Sequence, residues 1–543
     1  MSEFNIKFEK VVFELDRNFE FYEKENRITL FEYSIDENFK ISIKPFKKIF
    51  FKKVSLVVKI LEPKNFFIFR NGFQSWSPSY PFYNKIDEKG PLLPILKYHY
   101  LDPQNLKPSI SYIFTYLKGE NSYLFFYPKN FNYYNYFVFD DKKIEITFEI
   151  NKNIEKDLEL EIEIFEKENP IINSDFSKKI FGWTSWYYYY RKIDPQEILK
   201  NIDAIDRIPF KLDFFQIDDG WQKSIGEWVE NEKFEGYLNE ICDRLNKKGV
   251  YPGIWLAPFI VETASQIFKD KKENILKNEK GELYKVGFNP LWSGYFYALD
   301  ISKEEAKEKI LRDLERLKSI GFKLFKLDFL YAGFIKSKKD ESRYEKFINI
   351  FKEIRNVLKD EIILGCGAPF ILEDGIFDMV RIGPDTMDGW KNYLLRILTF
   401  PGRVEAYNSL RNTLFRNIST KQKFFFDPDV IFLKPKKLNE KEKKTIILTN
   451  YLLSNIIFFS DPIYSLDKED FSLLSSLREF KNIEILDFNF DDQFLIYKFK
   501  INDYPYLFFV NLGDKVINLK QKGFELNKGL NILKPHESRL IKL

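Results

Sequence analysis

Short apolar runs that end in carboxylates constrain this chain more than any other feature. Lys323-Leu-Phe-Lys-Leu leads into Asp328, Met379-Val-Arg-Ile-Gly-Pro into Asp385, and Phe214-Phe-Gln-Ile into the pair Asp218-Asp219. Short, mainly apolar runs of this length bounded by polar residues read as buried strands. Eight candidates recur: Phe181–Trp186, Asp213–Asp218, Tyr251–Ala257, Lys323–Phe329, Ile362–Gly367, Met379–Pro384, Phe424–Asp429 and Asn455–Asp461. Amphipathic stretches separate them. Ser302-Lys-Glu-Glu305 opens one helix with a capping box and Gly321 closes it. Asp340–Lys359 carries Tyr344, Phe347, Ile348, Phe351 and Ile354 on one side. Strand–helix alternation of this number and length predicts a (β/α)8 TIM barrel. The segment 262–298 is long for a connection and reads as a lid or rim element.

The flanks read differently. Residues 1–172 break into short strand-like pieces such as Ser55–Leu61 and the alternating Lys143–Ile150, with no long helical period. They predict an N-terminal β-sandwich. From 483 to 543 the chain returns to strands, Phe494–Lys500, Tyr506–Val510 and Ser538–Leu543, predicting a C-terminal antiparallel β-sandwich. The expected architecture is thus multidomain, α/β plus all-β, with the barrel over 173–482. At 543 residues the chain is too long for one core, which fits.

Composition narrows the chemistry. A net charge of +4 from 85 basic and 81 acidic residues leaves no basic groove for nucleic acid. No apolar run is long enough to span a bilayer, and no leader pattern opens the chain, so the expectation is a cytoplasmic protein. Cys242 and Cys366 alone make neither a disulfide framework nor a metal motif. The two histidines, His99 and His536, lie outside the central segment, so proton transfer there falls to Asp, Glu, Tyr, Lys or Cys. Seven of the eight tryptophans lie between 183 and 390. Single tryptophans usually pack cores, but a cluster beside strand-end carboxylates suits a sugar site, where aromatic faces stack on C–H faces.

In a barrel the functional side chains sit at the carboxyl ends of the strands. Asp328, Asp385 and Asp218-Asp219 fall there. Asp218-Asp219-Gly220 also fits a simple turn, and so does Asp385 after Gly383-Pro384. Asp328, between Leu327 and Phe329, is costly unless placed for use. Lys326, two residues earlier, shares its face and favours an ionised carboxylate. Arg381 stands four residues before Asp385, positioned to hold a hydroxyl or tune an acid. Two carboxylates are the minimum machinery for glycosidic cleavage.

Six motifs in order carry a resemblance: Trp183-Thr-Ser-Trp186, Phe215–Gln222, Gly253–Pro258, Phe325–Phe329, Gly365-Cys-Gly-Ala-Pro369 and Arg381–Thr386. Together they resemble glycoside hydrolase family 36, the α-galactosidases, in a bacterial or archaeal member, and the Lys, Glu and Ile richness fits a thermophile or an AT-rich genome. Asn71–Trp76 is similar to the family's N-terminal motif. The resemblance implies a retaining hydrolysis of terminal α-galactose from oligosaccharides, with Asp328 as nucleophile and Asp385 as acid/base. It implies that Asp218, Asp219, Lys326 and Arg381 bind hydroxyls, that Trp255 and Trp183 wall the pocket, that Cys366 packs near the sugar 2-position, and that Trp76 reaches over the barrel mouth. It implies no metal and no cofactor. An α-N-acetylgalactosaminidase, a galactosyl transferase, or a non-catalytic sugar-binding protein are the alternatives. Met387-Asp388-Gly389-Trp390 departs from the family pattern, and Asp388 is a second carboxylate beside the acid.

Overall fold

The computed structural model describes residues 4–543 apart from 16, 62–65, 84–101, 103–109, 130–132, 141–142, 339–340, 371–374, 401, 422–423, 525 and 527–529. His99 and Asp340 lie outside the described residues. At the centre is a parallel sheet whose strands we number β1 (Ile180–Thr184), β2 (Phe214–Ile217), β3 (Tyr251–Leu256), β4 (Leu324–Leu327), β5 (Ile362–Gly365), β6 (Met379–Arg381), β7 (Phe425–Asp427 with Val430–Ile431) and β8 (Ile456–Phe459). Each strand pairs in parallel with the next, and β1 also pairs with β8. The two halves of β7 are split only by Pro428 and Asp429; the first pairs with β6 and the second with β8. The sheet therefore closes on itself through one kinked strand, and all eight expected runs supply a strand.

The strands are shorter than the apolar runs. β4 ends at Leu327 and β2 at Ile217, so Asp328 and Asp218 each follow their strand directly. β6 ends at Arg381 rather than Pro384, which puts Asp385 in the loop beyond it. The helix expected from Ser302 spans Glu304–Ile320 and ends at Gly321 in the left-handed region, φ 119°. Its capping box does not form: Lys303 stands at the N-cap, and the Ser302 hydroxyl donates to Asp300 instead. The next helix, Arg343–Leu358, is capped by Ser342, whose hydroxyl accepts the Glu345 N–H.

The segment after β3 builds a rim of its own. Ile260–Glu262, Lys285–Asn289 and Gly294–Ala298 form a three-stranded antiparallel sheet, preceded in part by a short helix, Gln266–Asp270.

Antiparallel sheets flank the parallel one. A six-stranded sheet containing Asn5–Glu14, Ile49–Leu61 and Lys143–Ile154 faces a five-stranded and a four-stranded sheet. Val11, Leu56 and Ile146 of the first, Leu117 and Phe126 of the second, and Phe31 and Ile43 of the third share one core. At the other end, Glu484–Asp491, Phe494–Ile501, Tyr504–Asn511 and Ser538–Lys542 form a four-stranded sheet. A two-stranded pair covers it, with Phe494, Phe509, Leu519 and Leu533 between.

Two buried arginines fasten the N-terminal sheets to the barrel. Arg343 donates to both Asp102 and Glu149, with all three side chains buried. Arg416, on the helix Ala406–Arg416, donates to the Asn71 side chain, to the carbonyls of Gly72, Gln74 and Ser77, and to the Ile382 carbonyl beside β6. The loop carrying Trp76 is thereby held over the carboxyl end of the parallel sheet.

Candidate active site

The inward face of the sheet carries a continuous polar network. Thr184 at the end of β1 donates to Gln216 in β2. The Gln216 amide donates to Asp218 Oδ2 at 3.0 Å, and Lys326 Nζ of β4 donates to the same oxygen at 2.7 Å. Burial, the largest influence, would lower the Lys326 pKa, but Asp218 together with Cys366 and Asp328 holds the ammonium above its ordinary range. Asp219, followed by Gly220 in a left-handed conformation at φ 126°, has partners of its own. Its carboxylate accepts from Gln222 at 2.6 Å and from the Trp292 indole at 3.0 Å, and Arg191 lies 3.4 Å away. Burial nevertheless raises its pKa.

Asp328 is buried beneath this network. Its Oδ2 accepts the Trp255 indole N–H at 3.0 Å and its Oδ1 accepts the Phe329 amide at 2.7 Å. Trp255 is the register partner of Lys326, so the indole stands on the same face one strand over. Burial pushes the Asp328 carboxyl up; Lys326, the Trp255 N–H and the Phe329 N–H pull it back, and Asp385 pushes it up again. Phe329 itself sits in the left-handed region at φ 54°, redirecting the chain away from the carboxylate. Gly367 packs against that bend: a Cβ there would come within 3.3 Å of the Phe329 backbone. Cys366 is buried next to it, and burial followed by the Asp328 charge keeps its thiol protonated.

Asp385 lies across the mouth, its side chain 31% exposed while that of Arg381 is 3% exposed. Arg381 Nη1 is 3.2 Å from Asp385. The same guanidinium reaches Asp429 at 2.9 Å and Asp427 at 3.0 Å. Asp388 is not part of the cluster: its carboxylate accepts the backbone N–H groups of Lys436, Lys437 and Leu438.

Of the tryptophans expected at the site, two arrive and one does not. Trp76 packs edge-on against Phe329 at 5.1 Å and Tyr331 at 6.0 Å, and the neighbouring Ser75 hydroxyl accepts the Gly367 N–H. Trp255 holds Asp328. Trp183 is fully buried on the opposite face of β1, stacked on Phe215 at 4.2 Å, with its indole N–H on the Asp461 carbonyl. Strand alternation sends Thr184 inward and Trp183 into the helix layer, so Trp183 has no face to offer a ligand.

Asp427, Asp429, Tyr187, Arg191, Gln222 and Trp292 join the cluster without having been singled out in the sequence. Asp427 and Asp429 carried the same signal as the others, an apolar run ending in carboxylates. Trp292 was legible only as one of the clustered tryptophans, because it arrives on the long rim segment. Among the described residues, Asp218, Asp219, Asp328, Asp385, Asp427 and Asp429 face only Lys326, Arg381 and Arg191 as cations. Such an acidic excess stabilises positive charge developing on a bound molecule. An oxocarbenium-like transition state carries such charge.

A closed parallel sheet with one deeply buried carboxylate and one at its mouth offers the two acids that glycosidic cleavage requires. Residues 139–332 match the Melibiase family model. Among curated relatives, the α-galactosidase Mel36A of Lactobacillus acidophilus is 21% identical over 141 residues, covering 24% of this chain and 18% of that protein. The myogenesis-regulating glycosidase of Mus musculus is 23% identical over 137 residues, 25% of this chain and 19% of that protein. The matched segment thus spans about a fifth of the length of these relatives. The α-galactosidase TtGalA of Thermus thermophilus, solved with p-nitrophenyl α-D-galactopyranoside, superposes with a TM-score of 0.71 at 21% identity over 89% of this chain and 98% of that one. The family 36 α-galactosidase AgaA of Geobacillus stearothermophilus gives 0.56 at 12% identity, over 94% and 81%. These likenesses establish the fold, and with the Melibiase match they bear out the resemblance to family 36 drawn from the motifs.

Proposed function

We propose that this chain is a retaining exo-α-galactosidase that removes terminal α-linked galactose from small oligosaccharides. The observation that carries the reading is the convergence of Asp218, Asp219, Lys326, Asp328, Arg381 and Asp385 at one end of the parallel sheet. Asp328, buried and steadied by the Trp255 N–H, attacks the anomeric carbon and forms a galactosyl-enzyme. Asp385, which reaches solvent, gives its proton to the departing oxygen and then takes one from water. Asp218 and Asp219 keep free lone pairs beside their fixed donors and accept from galactose hydroxyls. A galactoside offers an axial 4-hydroxyl to such a carboxylate; a glucoside leaves the buried charge without it, the kind of mismatch that gives strong discrimination. Binding of p-nitrophenyl α-galactoside and of stachyose by the Thermus enzyme supports the substrate class.

The division into 1–172, 173–482 and 483–543 belongs to the same reading, supported by where the antiparallel and parallel sheets fall. So does a cytoplasmic, thermophilic setting; Cys242 and Cys366, both buried and unpaired, support a reducing compartment. Among the described residues no helix is long and apolar enough to cross a membrane.

Nitrophenol release from the α-galactoside, against the α-glucoside, β-galactoside and α-N-acetylgalactosaminide, tests the assignment. Turnover of the α-galactoside at least a hundredfold above the others is expected. Preference for the acetamido sugar would reassign the substrate, and no turnover of any would remove the hydrolase reading.

A further inference from the structure

The carboxylates at the end of β7 have no part in the two-carboxylate mechanism, yet they are the most tightly connected groups in the site. Arg381 divides its guanidinium among three acids. Nη1 lies 3.2 Å from Asp385 Oδ1 and 2.9 Å from Asp429 Oδ2, while Nε donates to Asp427 Oδ2 at 3.0 Å. Asp429 Oδ2 also accepts the Tyr187 hydroxyl and, at 2.8 Å, the N–H of Thr386, the residue after Asp385. Its Oδ1 accepts the Val430 N–H at 2.8 Å, and its own N–H donates to Asp427 Oδ1 at 2.9 Å. Asp429 holds this posture with φ 81°, a conformation that a non-glycine residue rarely adopts and that tends to persist where function requires it. The kink that closes the sheet is therefore also what aims Asp429 at Arg381 and at the peptide beside Asp385.

We propose that Asp429 is a positioning residue for proton transfer by Asp385: it pins the Thr386 peptide and competes with Asp385 for Arg381. The inference rests on Asp385 being the acid/base. An arginine paired with one carboxylate lowers that carboxyl's pKa by about 1–3 units. A general acid so held would already be ionised when its proton is needed. Sharing the guanidinium with Asp427 and Asp429 weakens that hold. The groups facing the pair are Arg381, Asp427 and Tyr187; Tyr190, Asp328 and Cys366 feel the Asp385 charge from the other side. Burial pushes Asp429 up to about 6, Arg381 opposes this, and Asp385 and Asp427 add to it. Asp385 and Asp429 thus act on one another through a single shared cation.

The test is the pH profile of kcat/KM on methyl α-galactoside, whose leaving group needs a proton, beside a dinitrophenyl α-galactoside, whose leaving group does not. Asp429→Asn removes the competing charge. Its alkaline limb is expected to move acidward by about one unit, with at least a tenfold loss on the methyl glycoside and little on the aryl one. Equal losses on both, with the limb in place, would mean a purely structural role and overturn the proposal. Tyr187→Phe removes the donor that favours the ionised Asp429, so its limb is also expected to move acidward, and a limb that stays in place or moves to higher pH would overturn the proposal even if Asp429→Asn does not fold. Asp385→Ala separates the two readings. If it lacks the leaving-group dependence, the acid/base assignment fails; if it shows it while Asp429→Asn keeps the wild-type profile, only the role of Asp429 fails.

Discussion

Trp255→Phe isolates one bond to the nucleophile. The indole N–H donates to Asp328 Oδ2 at 3.0 Å, and its ring packs edge-on against Trp228 at 5.8 Å, a contact that phenylalanine retains. A hydrogen bond to a charged group contributes about 1.5–3 kcal/mol. The protonated carboxyl accepts the same N–H more weakly, so about half of that distinguishes the two forms, or about one pKa unit at 1.36 kcal/mol per unit. Asp328 attacks only when ionised, and burial already places its pKa above the ordinary aspartate value. Removing the donor raises it further. Activity is lost as pH falls through this pKa, so the acid limb of kcat/KM should move to higher pH by about one unit. The profile should be measured on an aryl α-galactoside, with a melting curve to show an intact fold. A limb that stays in place, or moves to lower pH, would refute the claim that this bond supports the ionised nucleophile.

Three further outcomes follow from the geometry. Arg343→Met leaves Asp102 and Glu149 buried without their shared cation and should destabilise the protein by about 3–5 kcal/mol in urea unfolding; a change below about 1 kcal/mol would contradict it. Trp292→Phe removes the indole donor to Asp219 while keeping the ring against Phe329, so KM for the α-galactoside should rise about tenfold with an unchanged melting temperature. Asp385→Ala should slow cleavage of poor leaving groups by about 10²–10⁴-fold and activated aryl galactosides far less, read from turnover across a leaving-group series.

How much of this was legible in the sequence depended on whether the signal was local. The run Leu324–Leu327 followed by Asp328 announces both a buried strand and a misplaced charge, and the other barrel strands were legible as short apolar runs. Asp427 and Asp429, on either side of Pro428, gave the same signal but lay outside the motifs that carried the resemblance. In the structure that proline is where β7 kinks to pair with both neighbours. Trp183 misled because a motif says which residues are near a site but not which face they take; one position of strand phase separates Thr184 in the site from Trp183 in the core. The place of Trp292 beside Asp219 was illegible, since it depends on three antiparallel strands folding back over the barrel mouth. The reach of Trp76 required interdomain geometry, supplied here by Arg416, a residue more than 300 positions away in the chain. Asp388 illustrates the converse: it sits beside the acid in sequence, but three backbone N–H groups of a different loop claim it.

The central claim is that Asp328 attacks one face of the sugar and Asp385 serves the other. Azide rescue of Asp328→Gly on an activated α-galactoside, with the product identified by proton NMR, tests it most directly. The vacated carboxylate position should admit azide to the nucleophile's face, restoring turnover and yielding the β-galactosyl azide. Asp385→Ala under the same conditions should yield the α-galactosyl azide, formed by attack on the galactosyl-enzyme. Undiminished turnover by Asp328→Gly, or an α-azide from it, would contradict the assignment of the nucleophile.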